Sequence, residues 1–398
     1  MNKPFSQSLI GVIIIMVMVS LTLGCLFTDD SGNNNTRSGF DRESILDTAP
    51  QLLEYIEIKI DPPPIINTTK HKSMVGLINI GWYIEKNTIY CKFGGTLNFT
   101  IKNNSTERIY INRIGIIPSW HKGWDENDSD IFSDVGKYVD PGQDQEICIL
   151  SFPGPTQTGK YEYQTSVSVY SQNETGLWND CGIQKSDIKT MTVVALPKES
   201  NYKIHKNLPQ YYDKINGIVD PTADSIYNLS REISRDFSGP FNIYQVCAIF
   251  DFVKTNVKYF SDPSSTANDW CTPEQTLFYG GDCEDHSTLL ASLYISLGGT
   301  VRMFMTDSHA FLGLYIGDNG HVDEIVKGIR KYYRTNVNVF WFEDDLGLWL
   351  LIDTIGSFYP GGLPLGAGPI ATSSSEYGWS WNFTETENLF ITDIIPKK

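Results

Sequence analysis

Gly280-Gly281-Asp282-Cys283-Glu284-Asp285-His286 runs directly into Leu289, Leu290, Leu293 and Leu297, an apolar stripe at helical spacing that stops at Gly298-Gly299. This stretch decides how the chain is read. Asp282 is placed to cap the free amides of a helix start, and Asp285, three positions on, supports it. Cys283 then stands in the first turn, where the helix dipole favours a thiolate. The two preceding glycines are expected to leave space above its sulfur. Asp282, Glu284 and Asp285 oppose that thiolate with negative charge. Helix position alone therefore does not activate this cysteine; it needs a cationic partner.

His309 is the candidate partner. It opens an expected strand over 309–316 and shares a face with Phe311 and Gly313. A strand packed along the start of the Cys283 helix would bring the imidazole to the sulfur. Asp353 closes the apolar run Trp349-Leu350-Leu351-Ile352. A carboxylate at the end of a buried strand is costly without a partner, and the second nitrogen of His309 is a fitting one.

Gly-Gly-Asp-Cys-Glu-Asp-His at a helix start, then a His-Ala-Phe strand, then Trp-Leu-Leu-Ile-Asp, resembles the transglutaminase-like superfamily of papain-like fold. Trp270-Cys271-Thr272-Pro273-Glu274-Gln275-Thr276-Leu277 is similar to the lead-in of its microbial and archaeal surface members. The resemblance spans residues 220–356, a little over a third of the chain. It implies a catalytic Cys–His–Asp triad, here Cys283, His309 and Asp353. It also implies an oxyanion held by the nucleophile's own amide and an upstream side chain, for which Gln275 and Trp270 are the candidates. The activity implied is thiol acyl transfer on peptide or carboxamide bonds, with no cofactor and no metal. Water as acceptor makes a peptidase or amidase, the preferred reading, and a lysine amine makes a cross-linking acyltransferase. The spacing departs from the family: Cys283 to His309 is 26 residues, which is short, and His309 to Asp353 is 44, which is long. Residues 318–345 then form an insertion whose mixed-charge part, 327–334, reads as a solvated face. Asp323 and Asp345 stand as substitutes for Asp353.

Upstream, the period is two. Leu97, Phe99 and Ile101 alternate with polar residues, as do Tyr161, Tyr163, Thr165, Val167 and Val169. Gly94-Gly95, Asn103-Asn104 and Pro141-Gly142 punctuate them. The pattern predicts an antiparallel β-sandwich of immunoglobulin-like type over 70–196. An α+β domain follows over 197–398, with helices first (Ile226, Leu229, Ile233 and Phe237 on one face; Ile243, Val246, Cys247, Phe250 and Val253 on the next) and strands after. The acidic stretch 125–134 reads as a loop, lacking the glycine and terminal Glu of a calcium-binding EF-hand.

The apolar run 9–23 is short for a span and fits a secretory segment over 1–24. It ends at Thr22-Leu23-Gly24-Cys25, an inexact lipid-attachment sequence; an uncleaved N-terminal anchor is the alternative. Residues 25–69 then read as a tether and linker. Nine N-x-S/T sequons suit a glycosylated surface, with Asn98, Asn104, Asn173, Asn228 and Asn382 as acceptors. The expected place is the extracellular face of the cell membrane. The partners are then the membrane, through Cys25, and a protein or peptide of the envelope. A formal charge of −16 opposes nucleic-acid binding, which needs cations against phosphates. Without Cys25 and Cys283 five cysteines remain, so at least one is not in an intramolecular disulfide. Two other classes stay open: a non-catalytic adhesin or assembly module on the same fold, and a metal protein using Cys283, His286 and the nearby acids.

Overall fold

The computed structural model describes residues 44–48, 51–59, 61–72, 77–85, 88–121, 131–261, 270–370 and 380–395. Cys25 and the apolar run 9–23 lie outside them, as do Asn34 and Asn127 and most of the acidic stretch 125–134. Among the described residues no helix is long and apolar enough to cross a membrane.

A short helix, α1 (Ile45–Thr48), precedes ten strands: β1 (Thr68–His71), β2 (Ile78–Ile84), β3 (Ile89–Tyr90), β4 (Gly95–Asn103), β5 (Arg108–Pro118), β6 (Phe132–Val139), β7 (Asp144–Phe152), β8 (Gly159–Gln172), β9 (Trp178–Lys185) and β10 (Lys189–Val194). They build a sandwich of one three-stranded sheet, β2-β4-β7, and one seven-stranded sheet organised around the long β8. Alternation explains the burial. Leu97, Phe99 and Ile101 from β4 meet Ile109, Ile111, Ile114, Val167 and Val169 in one core, while intervening residues point to the opposite face, where Thr96 and Asn98 are themselves buried. The sandwich is not purely antiparallel as expected, because β1 pairs with β9, and β3 with β10, in parallel. Turn chemistry marks hairpins, but parallel edge pairs arise from long connections that leave no local signal.

The second half begins with β11 (Lys203–Lys206), then α2 (Pro209–Ile218), α3 (Asp224–Ser234), α4 (Ile243–Asn256), α5 (Pro273–Tyr279) and α6 (Cys283–Ser296). After these come β12 (Val301–Met305), β13 (Ala310–Gly317), α7 (Val322–Tyr333), β14 (Trp341–Asp344) and β15 (Gly347–Ile352), with β16 (Ala367–Pro369), β17 (Trp381–Phe383) and β18 (Asn388–Asp393) last. Six strands form a sheet in the order β11-β18-β12-β13-β15-β14. Even-numbered residues of β13 (Leu312, Leu314, Ile316) face the helices with Leu350 and Ile352 of β15. Odd-numbered ones (Phe311, with Trp349 and Leu351 of β15) face an aromatic layer of Phe340, Trp381 and Phe383. Helices cover one face and C-terminal chain the other.

Several expectations are corrected. The lead-in Trp270–Leu277 is itself largely helical: α5 starts at Pro273, closed by a Thr272/Gln275 capping box with proline at the first position. The insertion is structured: α7 buries Val322, Ile325, Val326 and Ile329, a three-four spacing, so it is not a fully solvated face. The linker ends sooner than residue 69. Ile45 and Leu53 are buried, and Glu54 exchanges backbone bonds of 2.9 and 3.0 Å with Phe241 and Ile243 in the second half. Two glycan candidates are corrected by burial. Asn98 on β4 donates its amide to the Tyr83 hydroxyl at 2.6 Å, and Asn382 donates its own to the Ser200 carbonyl at 3.2 Å. The residue a glycan would have to reach is buried in both. Asn104 and Asn228 are exposed, and Asn173 sits half-buried in a turn. No disulfide joins Cys91, Cys148, Cys181, Cys247 or Cys283.

Candidate active site

Two antiparallel strands of like parity bring the acid to the imidazole. The β13–β15 register pairs Leu312 with Ile352 and Gly313 with Leu351. Continued past the strand ends, it sets Phe311 opposite Asp353 and places His309 one same-face step beyond, within diagonal reach. His309 Nε2 meets Asp353 Oδ2 at 2.7 Å, both side chains almost wholly enclosed. The His309 ring lies near-parallel to Phe311, 17° between planes. Asp353 Oδ1 also accepts the Ile355 amide, and Oδ2 the Leu365 amide, each at 2.9 Å. Burial pushes this carboxyl up, but the charge and hydrogen bond of His309 and the amides outweigh it and bring it to about 2. Asp353 is therefore an anion at any ordinary pH. Neither substitute, Asp323 on α7 nor Asp345 beyond β14, has its place: Asp345 faces Lys206 at 3.3 Å.

Cys283 is the first residue of α6. Asp285 holds the approach to it, accepting the Asp282 amide at 3.3 Å and the Cys271 amide at 2.7 Å. The glycines do not open space over the sulfur as expected. Gly281 exchanges backbone bonds of 3.1 and 2.9 Å with Lys258 and Phe260, and a Cβ on Gly280, whose φ is +86°, would meet the Lys258 carbonyl at 2.3 Å. They are needed so that residues 258–260 can lie against the start of the helix.

The Cys283 sulfur lies against the start of β13, where the amide of Ala310, the residue after His309, donates to it. Its own proton goes to Glu284 Oε2 at 3.1 Å. Burial, then the charge and hydrogen bond of Glu284, raise the thiol well above its ordinary value, and the Ala310 amide opposes them only in part. The arrangement thus holds a neutral thiol beside the His–Asp pair, not the preformed ion pair expected from sequence. Burial first, and the Glu284 charge second, outweigh the helix dipole.

The remaining candidates have other duties. Gln275 Oε1 accepts the Thr272 amide at 2.8 Å as the α5 cap. Trp270 packs beneath the Lys214 ammonium, 4.5 Å from its ring centre. His286 is buried, with Nδ1 at 3.2 Å from the Thr354 hydroxyl and Nε2 at 3.4 Å from the Lys258 carbonyl. It ties α6 to the Asp353 strand end, and both its nitrogens are taken by these partners. Asp282, Cys283 and Glu284 do place ligand-type atoms within 4.8 Å of one another. Lys254, which the sequence reading passed over, donates from Nζ to the Thr354 carbonyl at 2.8 Å.

No family model and no curated protein matches the chain. A candidate cysteine protease from Cytophaga hutchinsonii is similar over 79% of this chain and 91% of its own, at 13% identity and TM-score 0.23. The CARDB domain of a Pyrococcus furiosus protein, solved with di-metal ions, is similar over 30% of this chain and 93% of its own, at 14% identity and TM-score 0.19. Native alpha-2-macroglobulin from Escherichia coli matches 45% of this chain and 28% of its own, at 14% identity and TM-score 0.20. At such scores these likenesses decide neither fold nor function, and the functional reading rests on the site.

Proposed function

We propose that the second half is a transglutaminase-like thiol acyl-transfer enzyme, with hydrolysis of peptide or carboxamide bonds as its reaction. One observation carries the reading: an enclosed His309–Asp353 pair at 2.7 Å, with the sulfur of a helix-start cysteine at the amide of the residue next to that histidine. In the reaction His309 takes the thiol proton through the nitrogen not given to Asp353, as sulfur bonds to the carbonyl carbon. The carbonyl electrons pass to oxygen, which the Cys283 amide at the helix start stabilises. Collapse breaks the C–N bond, and His309 returns the proton to the departing amine. Water, deprotonated by His309, then attacks the thioester and releases the acid and the thiol. Asp353 holds the imidazole and balances its charge. We place the enzyme at the outer face of the cell membrane, held through Cys25, on the strength of the apolar run that ends there.

A second reading, a binding module with no turnover, has its own observation: the raised thiol bonded to Glu284. Iodoacetamide labelling of Cys283 against pH separates the two. With the thiol neutral at rest, the enzyme reading expects labelling below pH ~8.5, the value of a free thiol, only through His309 taking the thiol proton, so that it is lost in His309→Ala. Slow labelling that rises only above that pH, indifferent to the mutation, sinks it. With hydroxylamine present, a hydroxamate product distinguishes an acyl-enzyme open to amines from one reserved for water.

A further inference from the structure

Glu85 belongs to the sandwich, just past β2, where its amide donates to the Thr96 carbonyl at 2.9 Å, yet its carboxylate reaches the other half. Its Oε1 accepts the Phe358 amide at 2.7 Å and the Ser357 hydroxyl at 2.8 Å. Those residues close the turn that starts at Asp353, whose carbonyl accepts the Ser357 amide at 3.0 Å. The turn has no slack. A Cβ on Gly356 would stand 2.4 Å from Asp353 Oδ2 and 2.2 Å from the Leu365 amide nitrogen. At its other side Lys254 holds the Thr354 carbonyl. The backbone that carries Asp353 therefore hangs between a cation from α4 and an anion from the sandwich. Tyr83 of β2 adds an edge-on contact with the Phe358 ring, 5.2 Å between centres.

We propose that Glu85 is a positioning residue for the triad, so that the sandwich completes the active site instead of standing apart from it. The inference rests on the triad reading. A carboxylate that fixes an imidazole acts through its direction, and displacement by about 1 Å can cost on the order of 100-fold in rate. Asp353 can hold its direction only if the turn behind it holds its shape. A charged acceptor gives the Phe358 amide a stronger bond than a neutral one would. The charged and titratable groups around the turn are Glu85, Lys254, Asp353, Tyr83 and Tyr359, with His309 and His286 at its start and Glu146 and Asp251 acting on Lys254.

The test uses the full chain and reads Cys283 alkylation by iodoacetamide from about pH 5 to 9 in wild type, His309→Ala, Glu85→Ala and Glu85→Gln. His309→Ala is expected to remove the low-pH limb. Glu85→Ala is expected to displace that limb and slow labelling about 10- to 100-fold. Glu85→Gln keeps an acceptor oxygen and is expected to restore the rate to within about threefold. A wild-type profile in Glu85→Ala, with the limb still lost in His309→Ala, overturns the positioning role and leaves the triad standing. Equal loss in the alanine and glutamine variants also overturns it, because the acceptor would then not be what matters. An unchanged profile in His309→Ala removes the triad reading and this inference with it. Should Glu85→Ala fail to fold, Glu85→Asp withdraws the oxygen by one methylene and keeps the charge. A wild-type rate there overturns the proposal.

Discussion

Around Cys283 the competition is between a helix start that favours an anion and burial and carboxylates that oppose one. Glu284 takes the thiol proton at 3.1 Å and places its charge beside the sulfur. Replacing it by glutamine removes that charge and keeps an acceptor. Burial, the larger cause of the raised thiol, stays. Glu284→Gln is therefore expected to speed labelling of Cys283 near neutral pH by about tenfold, one decade per unit of pKa. An unchanged rate would mean that the carboxylate has no hold on the sulfur.

At the scale of elements, the start of α6 is held by contacts that tolerate no added atom. A Cβ on Gly281 would lie 2.3 Å from Asp285 Oδ2 and 2.5 Å from Asp285 Cβ. Asp285 is the cap partner and holds the Cys271 amide, so it cannot retreat without giving up both bonds. Gly281→Ala is expected to cost about 1–3 kcal/mol, as overpacking does, readable as a lower denaturant midpoint with unchanged slope. A midpoint equal to wild type would show that Asp285 moves freely. On the sheet side, Arg302 of β12 is almost fully buried and bonds Asp393 of β18 at 2.9 Å and Asp344 of β14 at 2.8 Å. These ion pairs brace the sheet on either side of the strands that end in His309 and Asp353. Truncating Arg302 would leave Asp344 with the Lys206 ammonium and Asp393 with the Asn207 amide in place of two ion pairs through one guanidinium.

Over the whole molecule the two halves share a boundary that titrates. A cleft of about 1020 Å³ between them is lined by Asp251, Lys254, Tyr332, Tyr333 and Phe358 on one side and by β6 and β7 residues on the other. Burial raises Asp251 to about 6, against the lowering effect of the Tyr333 hydroxyl, which donates to it at 2.7 Å. The native state thus keeps a proton that the unfolded chain gives up near its ordinary value of 3.8, so stability falls as pH rises from there through about 6. Asp353 has the opposite sign: its stabilisation is present above the ordinary carboxylate value and is lost as pH falls toward about 2. Asp251→Asn is expected to flatten the decline between pH 3.8 and about 6. It should gain on the order of 2 kcal/mol at neutral pH after allowance for partial exposure, measured by urea unfolding across pH. An unaltered pH profile would show that the acid ionises freely in the cleft.

What could be read without the fold was whatever depends on neighbours in the chain. The α6 cap, the alternation of β4 and β8, and the shared parity of His309 and Phe311 are local patterns, set by helical and strand periods. The α5 box in Thr272-Pro273-Glu274-Gln275 and the three-four spacing of α7 were equally legible signals that went unread. Only tertiary structure decided the rest. Whether Asn98 and Asn382 reach water depends on which strands cover them. Whether the sulfur is a thiol or a thiolate depends on how Glu284 and Ala310 approach it. That the sandwich places Glu85 under the Asp353 turn depends on a contact spanning more than 270 residues. The chain's periods carry no record of such separations, because burial and electrostatic fields are sums over neighbours that only folding brings together.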